Sequence, residues 1–343
     1  MSSRLSSACS AAAAAVVAIV VALDAALIPW SCAQLVKTLW PWTSQLAATV
    51  EEWAWERWDA ERRGFRISPE PVPEYVAAPG AAPPSLTRPW VVRGLLNATD
   101  ETTQSKALRG YDWLLESPVG DLEIDFFSNA SAIDGIVPDA RAPLRSIVRG
   151  ILAGGSAKIG TEMIFRSFPR LLDELEIGAR VGALLGGASK MDSSRVGLLL
   201  TVPVFMATGA PDARTDLHCE PIGNLMLQMG GSKLWTMVPP EESRHLRPTV
   251  SKDGRAYLQS RLPTERPEET LAHVRRWTVE SRAGDAVWVP TWTWHRVDYI
   301  EGVTALSASL FHPRHEQIVT HNPLYAALVL PNMVKELVGW KTQ

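Results

Sequence analysis

The chain has 343 residues, 46% hydrophobic and 21% charged, with a net charge of −3. That is the composition of a folded chain, long enough for one large domain with accessory elements or for two small ones. Lysine and arginine are scattered, which argues against nucleic acid as a partner, and three cysteines (Cys9, Cys32 and Cys219) exclude a disulfide framework and fit no zinc spacing.

Residues 11–28, "AAAAAVVAIVVALDAALI", are nearly all apolar and follow Arg4. The pattern reads as a signal peptide or signal anchor over 1–33, with Ser31 and Ala33 satisfying the small-residue rule for cleavage after Ala33. The run is also long enough for a membrane anchor, although Asp24 would be costly inside a bilayer. Entry into the secretory pathway (the lumen of the endoplasmic reticulum or Golgi) is the expectation, with an organelle transit peptide or a buried Ala-rich helix as alternatives. The sequons Asn97-Ala98-Thr99 and Asn129-Ala130-Ser131 agree with a luminal glycoprotein.

Residues 34–66 form a Trp-rich stem whose core, "VEEWAWERWDAERR", has helical composition. Residues 67–89 carry seven prolines, which block helix and leave a stiff linker or a strap across a surface. A domain over 90–315 follows. Within it "LEIDFF" (122–127) suits a strand, and "FPRLLDELE" (168–176) suits a helix ending near Gly178. From 196 onward come short apolar runs separated by Gly, Pro and Asp turns. They predict an antiparallel sandwich or barrel with its core over 196–311. The tail, 316–343, reads as helical and suits packing on the domain or formation of a homodimer.

The chemistry concentrates in "HCEPIGNLMLQMGGSKLWTMVPP" (218–240) and "GDAVWVPTWTWHRV" (284–297). On a strand His218 and Glu220 share a face, and His295 supplies a third ligand from another strand. Two histidines and a carboxylate with open positions suit a non-haem Fe(II) centre. A His-x-Glu pair alone is more often a surface feature, and a lone histidine after tryptophan more often packs in a core. Lys233 sharpens the reading, because a lysine facing inward with these ligands needs an anion. Cys219, between two ligands, should point the other way into an apolar environment.

The stretch 215–311 resembles the jumonji-C, cupin-like family of Fe(II)/2-oxoglutarate dioxygenases, in pattern most of all its asparaginyl hydroxylase branch. The residues that carry the resemblance are Thr215, His218, Glu220, Asn224, Gln228, Gly231, Lys233, Pro239 and Pro240, then Gly284, Asp285, Pro290, Trp294 and His295. The resemblance implies a mainly β fold with flanking helices around a double-stranded β-helix (jelly-roll) core. It implies that His218, Glu220 and His295 bind Fe(II), with 2-oxoglutarate and O2 as cosubstrates. Lys233 would meet the distal carboxylate with help from Thr215, and Asn224 would lie in the same pocket. Glu220 stands where that branch has Asp, and Ser309 stands as the pocket residue where the branch often has Asn. The function implied is hydroxylation of a side chain in a protein or peptide substrate. Demethylation of N-methyl-lysine and a cupin-like binding protein without turnover are the alternatives.

Overall fold

The computed structural model describes residues 26–39, 44–60, 64–76, 85–97, 106–108, 110–130, 138–184, 201–251, 255–263, 265–312 and 315–337. Residues 1–25, which hold most of the expected signal or anchor, lie outside them. Among the described residues no helix is long and apolar enough to cross a membrane.

The described strands, in chain order, are β1 (Glu70–Pro71), β2 (Glu74–Val76), β3 (Trp90–Arg93), β4 (Glu123–Phe126), β5 (Ala140–Pro143), β6 (Lys158–Thr161), β7 (Val204–Thr208) and β8 (Arg214–Cys219). They continue with β9 (Gly223–Gly230), β10 (Ser232–Val238), β11 (Pro248–Val250), β12 (Leu258–Ser260), β13 (Trp277–Arg282), β14 (Ala286–Val289), β15 (Trp294–Tyr299) and β16 (Thr304–His312). One seven-stranded sheet has the order β1-β13-β10-β15-β8-β12-β11, the other β2-β3-β14-β9-β16-β7-β6. From β7 to β10 and again from β13 to β16 consecutive strands alternate between these two sheets, while β4 and β5 pair apart, so a mainly β, jelly-roll architecture with flanking helices is what the chain forms.

Strand β16 shows why the sheets stack as they do. Ser307, Ser309 and Phe311 fall on one face and line the space between the sheets. Leu306, Ala308 and Leu310 fall on the other and join a core with Ile147, Val148 and Ile151 of the helix α3 (Leu144–Leu152). That two-residue period aims polar groups inward and aliphatic groups at the helix. The other sheet is covered in the same way. Leu217, Cys219, Trp292 and Trp294 pack outward against two N-terminal helices, α1 (Leu27–Leu39) and α2 (Ser44–Ala60), and two C-terminal ones, α4 (His315–His321) and α5 (Pro323–Leu337). Because both faces of the sheet that holds β9 and β14 are covered, β14 reads as a continuous apolar run and β9 is buried along nearly its whole length, Asn224 and Gln228 included.

The N-terminal helices belong to this packing. Trp30 is 1% exposed, its ring meets Trp58 edge-on at 5.7 Å, and its indole N–H donates to the Pro248 carbonyl at 2.9 Å. Asp59 on α2 accepts from the Arg247 guanidinium at 2.5 Å. Ala33, the small residue expected before a cleavage point, is buried inside helix α1. The proline-rich segment is a strap: β1 adds in parallel to the edge of one sheet and β2 to the edge of the other. Proline suits these edge positions because it has no N–H to contribute to a central ladder.

Two expectations from the sequence change in detail. The helix foreseen over 168–176 is two pieces, Leu171–Glu174 and Ile177–Leu184, because Glu176 takes a left-handed conformation (φ 58°) and breaks the first. Gly178 is inside the second piece, not at its stop. The expected strand at 122–127 is present as β4, and the tail is helical, packed through Ile318, Tyr325, Leu328 and Val329. Asn97 and Asn129 are both exposed.

Candidate metal centre

Between the sheets lies a cavity of about 450 Å³, and the sequence motifs converge on it. Strands β8 and β15 are neighbours with His218 directly opposite His295, and their ring centroids are 4.2 Å apart. Glu220 follows the last residue of β8, with Oε1 4.0 Å from His218 Nε2. One donor atom from each of the three lies within 4.8 Å of the others.

The hydrogen bonds settle how the imidazoles face. His218 Nδ1 is 2.7 Å from the Asp216 carbonyl, and His295 Nδ1 is 3.1 Å from the Thr293 carbonyl. A carbonyl can only accept, so each Nδ1 carries the proton and each Nε2 keeps its lone pair. Burial pushes both imidazoles toward the neutral form, and the nearby His218 ring adds to the effect on His295. Two neutral Nε2 donors, each oriented by a backbone carbonyl, plus one carboxylate are the donor set that a divalent metal such as Fe(II) takes. On this chemistry the residues fit the ion.

An irregularity in β8 widens the set. His295 pairs with His218, but Val297 pairs with Thr215, so a step of three residues along β8 matches a step of two along β15. On a regular strand Thr215 and His218 would point to opposite faces; the bulge lets both line the cavity. The loop after β14 holds the third candidate ligand, Glu220. Trp292 has φ 64°, and its N–H donates to the Glu220 carbonyl at 2.9 Å. Trp235 and Tyr257 flank the pair: Trp235 stacks on His295 at 6.1 Å, and Tyr257 meets His218 edge-on at 5.8 Å.

Lys233 points inward, as the resemblance implies. It is 2% exposed, donates to Ser307 Oγ at 2.6 Å, and sits over the Tyr299 ring at 4.8 Å and the Phe205 ring at 5.7 Å. Burial, with a second lysine nearby, lowers its pKa to about 7. That second lysine, Lys158 of β6, also lines the cavity, and the sequence reading missed it. It donates to the Arg214 carbonyl at 3.1 Å and approaches Thr215 Oγ1 at 3.4 Å; burial lowers its pKa to about 8. A lysine in "KIGT" is not distinguishable by pattern from one on a solvent-facing edge. Only the pairing of β6 with β7 carries it into the cavity.

The other expected pocket residues are in place. Asn224 and Ser309 line the cavity and are 5% and 2% exposed. Asn224 Oδ1 is buried with no hydrogen-bond partner among the described residues, as expected of a group that receives a ligand. Gln228, in contrast, is committed to the sheet: its amide donates to the carbonyls of Gly230 and Leu306, and its oxygen accepts from Ser281. Gly231 serves the β9–β10 turn, with φ 64° and the Thr304 carbonyl oxygen 2.2 Å from where a Cβ would stand. Cys219 points away from the ligands into the apolar layer, and burial pushes its thiol well up.

Comparison with known proteins agrees with this architecture. The HSPB1-associated protein 1 homolog of Danio rerio is 30% identical over 101 residues, covering 28% of this chain and 22% of that protein. The HSPB1-associated protein 1 of Bos taurus is 31% identical, and that of Homo sapiens 30%, each over 101 residues and 21% of the relative. The matched region thus spans about a fifth of the length of these curated relatives. These similarities reach the domain and no particular branch of it. Residues 153–317, just under half of the chain, match the family described as "Cupin-like domain".

Proposed function

We propose that this chain is an Fe(II)/2-oxoglutarate-dependent oxygenase. The observation that carries the reading is the joint presence, in one cavity, of the His218–Glu220–His295 donor set and a buried, inward-facing Lys233. A lysine kept 2% exposed with a hydroxyl and two aromatic rings as neighbours is poorly stabilised when the cavity is empty. A dicarboxylate cosubstrate offers it a charge-assisted partner.

In this reading His218, Glu220 and His295 would hold the ion, the Nδ1 bonds of the two histidines to backbone carbonyls leaving their Nε2 lone pairs available to it. Iron, when bound with 2-oxoglutarate and O2, would supply the oxidation of a substrate C–H bond, with one oxygen atom going to that carbon, the other to succinate, and CO2 released. The chain's own residues do the positioning. Lys233 binds the distal carboxylate, Thr215 and Ser309 offer hydroxyls, and Asn224 presents its amide to the cosubstrate. Trp235 and Tyr257 wall the centre and keep water from it.

The substrate we propose is a side chain of a protein or peptide, which rests on the family resemblance. The secretory location rests on the apolar run 11–28 and the two sequons at exposed Asn97 and Asn129. The test is succinate formation from 2-oxoglutarate by the full chain under air. Iron-dependent succinate, absent in His295→Ala, is the expected result. Binding of metal and 2-oxoglutarate without succinate, even with candidate peptides present, would favour a cupin-like binder. Binding of neither would sink the oxygenase reading.

A further inference from the structure

The cavity holds one more cation than a single dicarboxylate anchor requires. Lys158 and Lys233 come from the two different sheets, β6 and β10, and both ammonium groups line the same space. Neither makes an ion pair with a carboxylate among the described residues. Lys233 donates to a hydroxyl, and Lys158 to a carbonyl. Asp216, the carboxylate whose field reaches Lys158, is itself bound by Arg214 Nε at 2.7 Å. Two buried ammonium groups close enough for one to depress the other repel in an empty cavity. An arrangement that is unfavourable when empty and satisfied by an anion is a binding device rather than a structural one.

We infer that Lys158 is a second anchor for the carboxylate at the far end of the ligand, so that the pocket grips one dicarboxylate terminus from two sheets at once. The inference builds on the dicarboxylate reading of this pocket and adds a residue to it. Thr215 links the two ideas: its hydroxyl lies 3.4 Å from Lys158 Nζ and belongs to the motif that carries Lys233. The bulge in β8 turns this threonine inward, beside Lys158. The chemistry selected is a terminal carboxylate held between two ammonium groups, so an acid that places a carboxylate there gains from Lys158.

The experiment is a thermal-shift titration of metal-free full chain with succinate, butyrate and 2-oxoglutarate, in wild type, Lys158→Met and Lys158→Arg. Succinate, 2-oxoglutarate and butyrate, which all offer a terminal carboxylate, are expected to raise the wild-type Tm. Lys158→Met should weaken succinate by about tenfold or more, as expected for loss of a buried charge-assisted bond. It should also keep or raise the Tm of the empty protein, since a repulsive buried charge has gone. Lys158→Arg, which keeps the charge, should retain a shift. If Lys158→Met does not fold, Lys158→Gln is read in its place. A variant that binds succinate as wild type does, or a wild type that ignores succinate, overturns the inference. Lysine-dependent succinate binding without any response to 2-oxoglutarate upholds this anchor and overturns the oxygenase reading.

Discussion

The backbone N–H of Trp292 donates to the carbonyl of Glu220 at 2.9 Å, tying the loop after β14 to the residue that carries the carboxylate ligand. Trp292 pays for this with a left-handed backbone (φ 64°), and its indole N–H donates in turn to the Ile318 carbonyl of α4. A large side chain at positive φ persists only where its surroundings hold it. Trp292→Gly should relieve the backbone but release the loop, weakening Mn(II) by about 10- to 100-fold, the usual range for residues that orient metal ligands. Metal titration alongside a denaturation curve separates this from general unfolding. Unchanged metal affinity would mean the Glu220 carboxylate does not depend on the Trp292 side chain that anchors the loop.

Removing either imidazole should remove the metal site and leave the fold. His295 is buried and His218 half-buried, and burial pushes both imidazoles toward the neutral form, so His218→Ala and His295→Ala should leave no unpaired charge behind. The expected result is loss of stoichiometric Co(II) or Mn(II) binding with a cooperative melt retained. Wild-type metal affinity in either variant would dismiss the assignment of that histidine.

The lysines give dicarboxylate binding a pH dependence with a definite sign. Burial lowers Lys233 from 10.5 to about 7 and Lys158 from 10.5 to about 8. Above those values the empty pocket loses protons that a bound carboxylate needs, so binding takes them up and weakens as pH rises. Affinity should be flat below pH ~7 and fall by about tenfold per unit above it, more steeply once Lys158 also titrates. The charged groups nearby are Asp216 and the Arg214 that holds it, and the titratable Tyr299 is kept neutral by burial. Stability of the empty protein runs the other way. Folded pKa values below the unfolded ones mean the penalty is complete below pH ~7 and fades as pH rises toward 10.5. Isothermal titration of 2-oxoglutarate at several pH values, with Mn(II) present, checks the sign; affinity that rises with pH contradicts it.

Helix α1 should matter to stability. Trp30 is 1% exposed and fills the space between Trp58 and Tyr325. Trp30→Ala should cost about 3–5 kcal/mol through lost burial and the cavity left behind. Urea denaturation measures it; a change within experimental error would mean that α1 is not docked in solution.

The candidate ligand set was legible because its signal is local. His-x-Glu at a strand end, a histidine opening another strand and a lysine between them survive as short spacings along the chain. What sequence alternation left out was set by irregular backbone. Strand alternation puts His218 and Glu220 on one face, yet Glu220 is past the strand's end and depends on Trp292 for its position. Thr215 faces the cavity through a bulge that alternation would not foresee. Lys158 depends on a long-range pairing of β6 with β7 and has no local signature. The N-terminal segment shows a different limit. Apolar composition reads alike for a targeting segment and for a helix such as α1, which buries Trp30 against the body of the fold.

The most direct measurement is the affinity of 2-oxoglutarate for the full chain without oxygen, with and without Mn(II), in wild type, His295→Ala and Lys233→Met. If His218, Glu220 and His295 hold a metal beside a lysine-anchored dicarboxylate, Mn(II) tightens 2-oxoglutarate in wild type. His295→Ala then loses the tightening but keeps weak binding, and Lys233→Met loses affinity whether or not metal is present. Binding that ignores both the metal and Lys233, or no binding at all, would contradict the site.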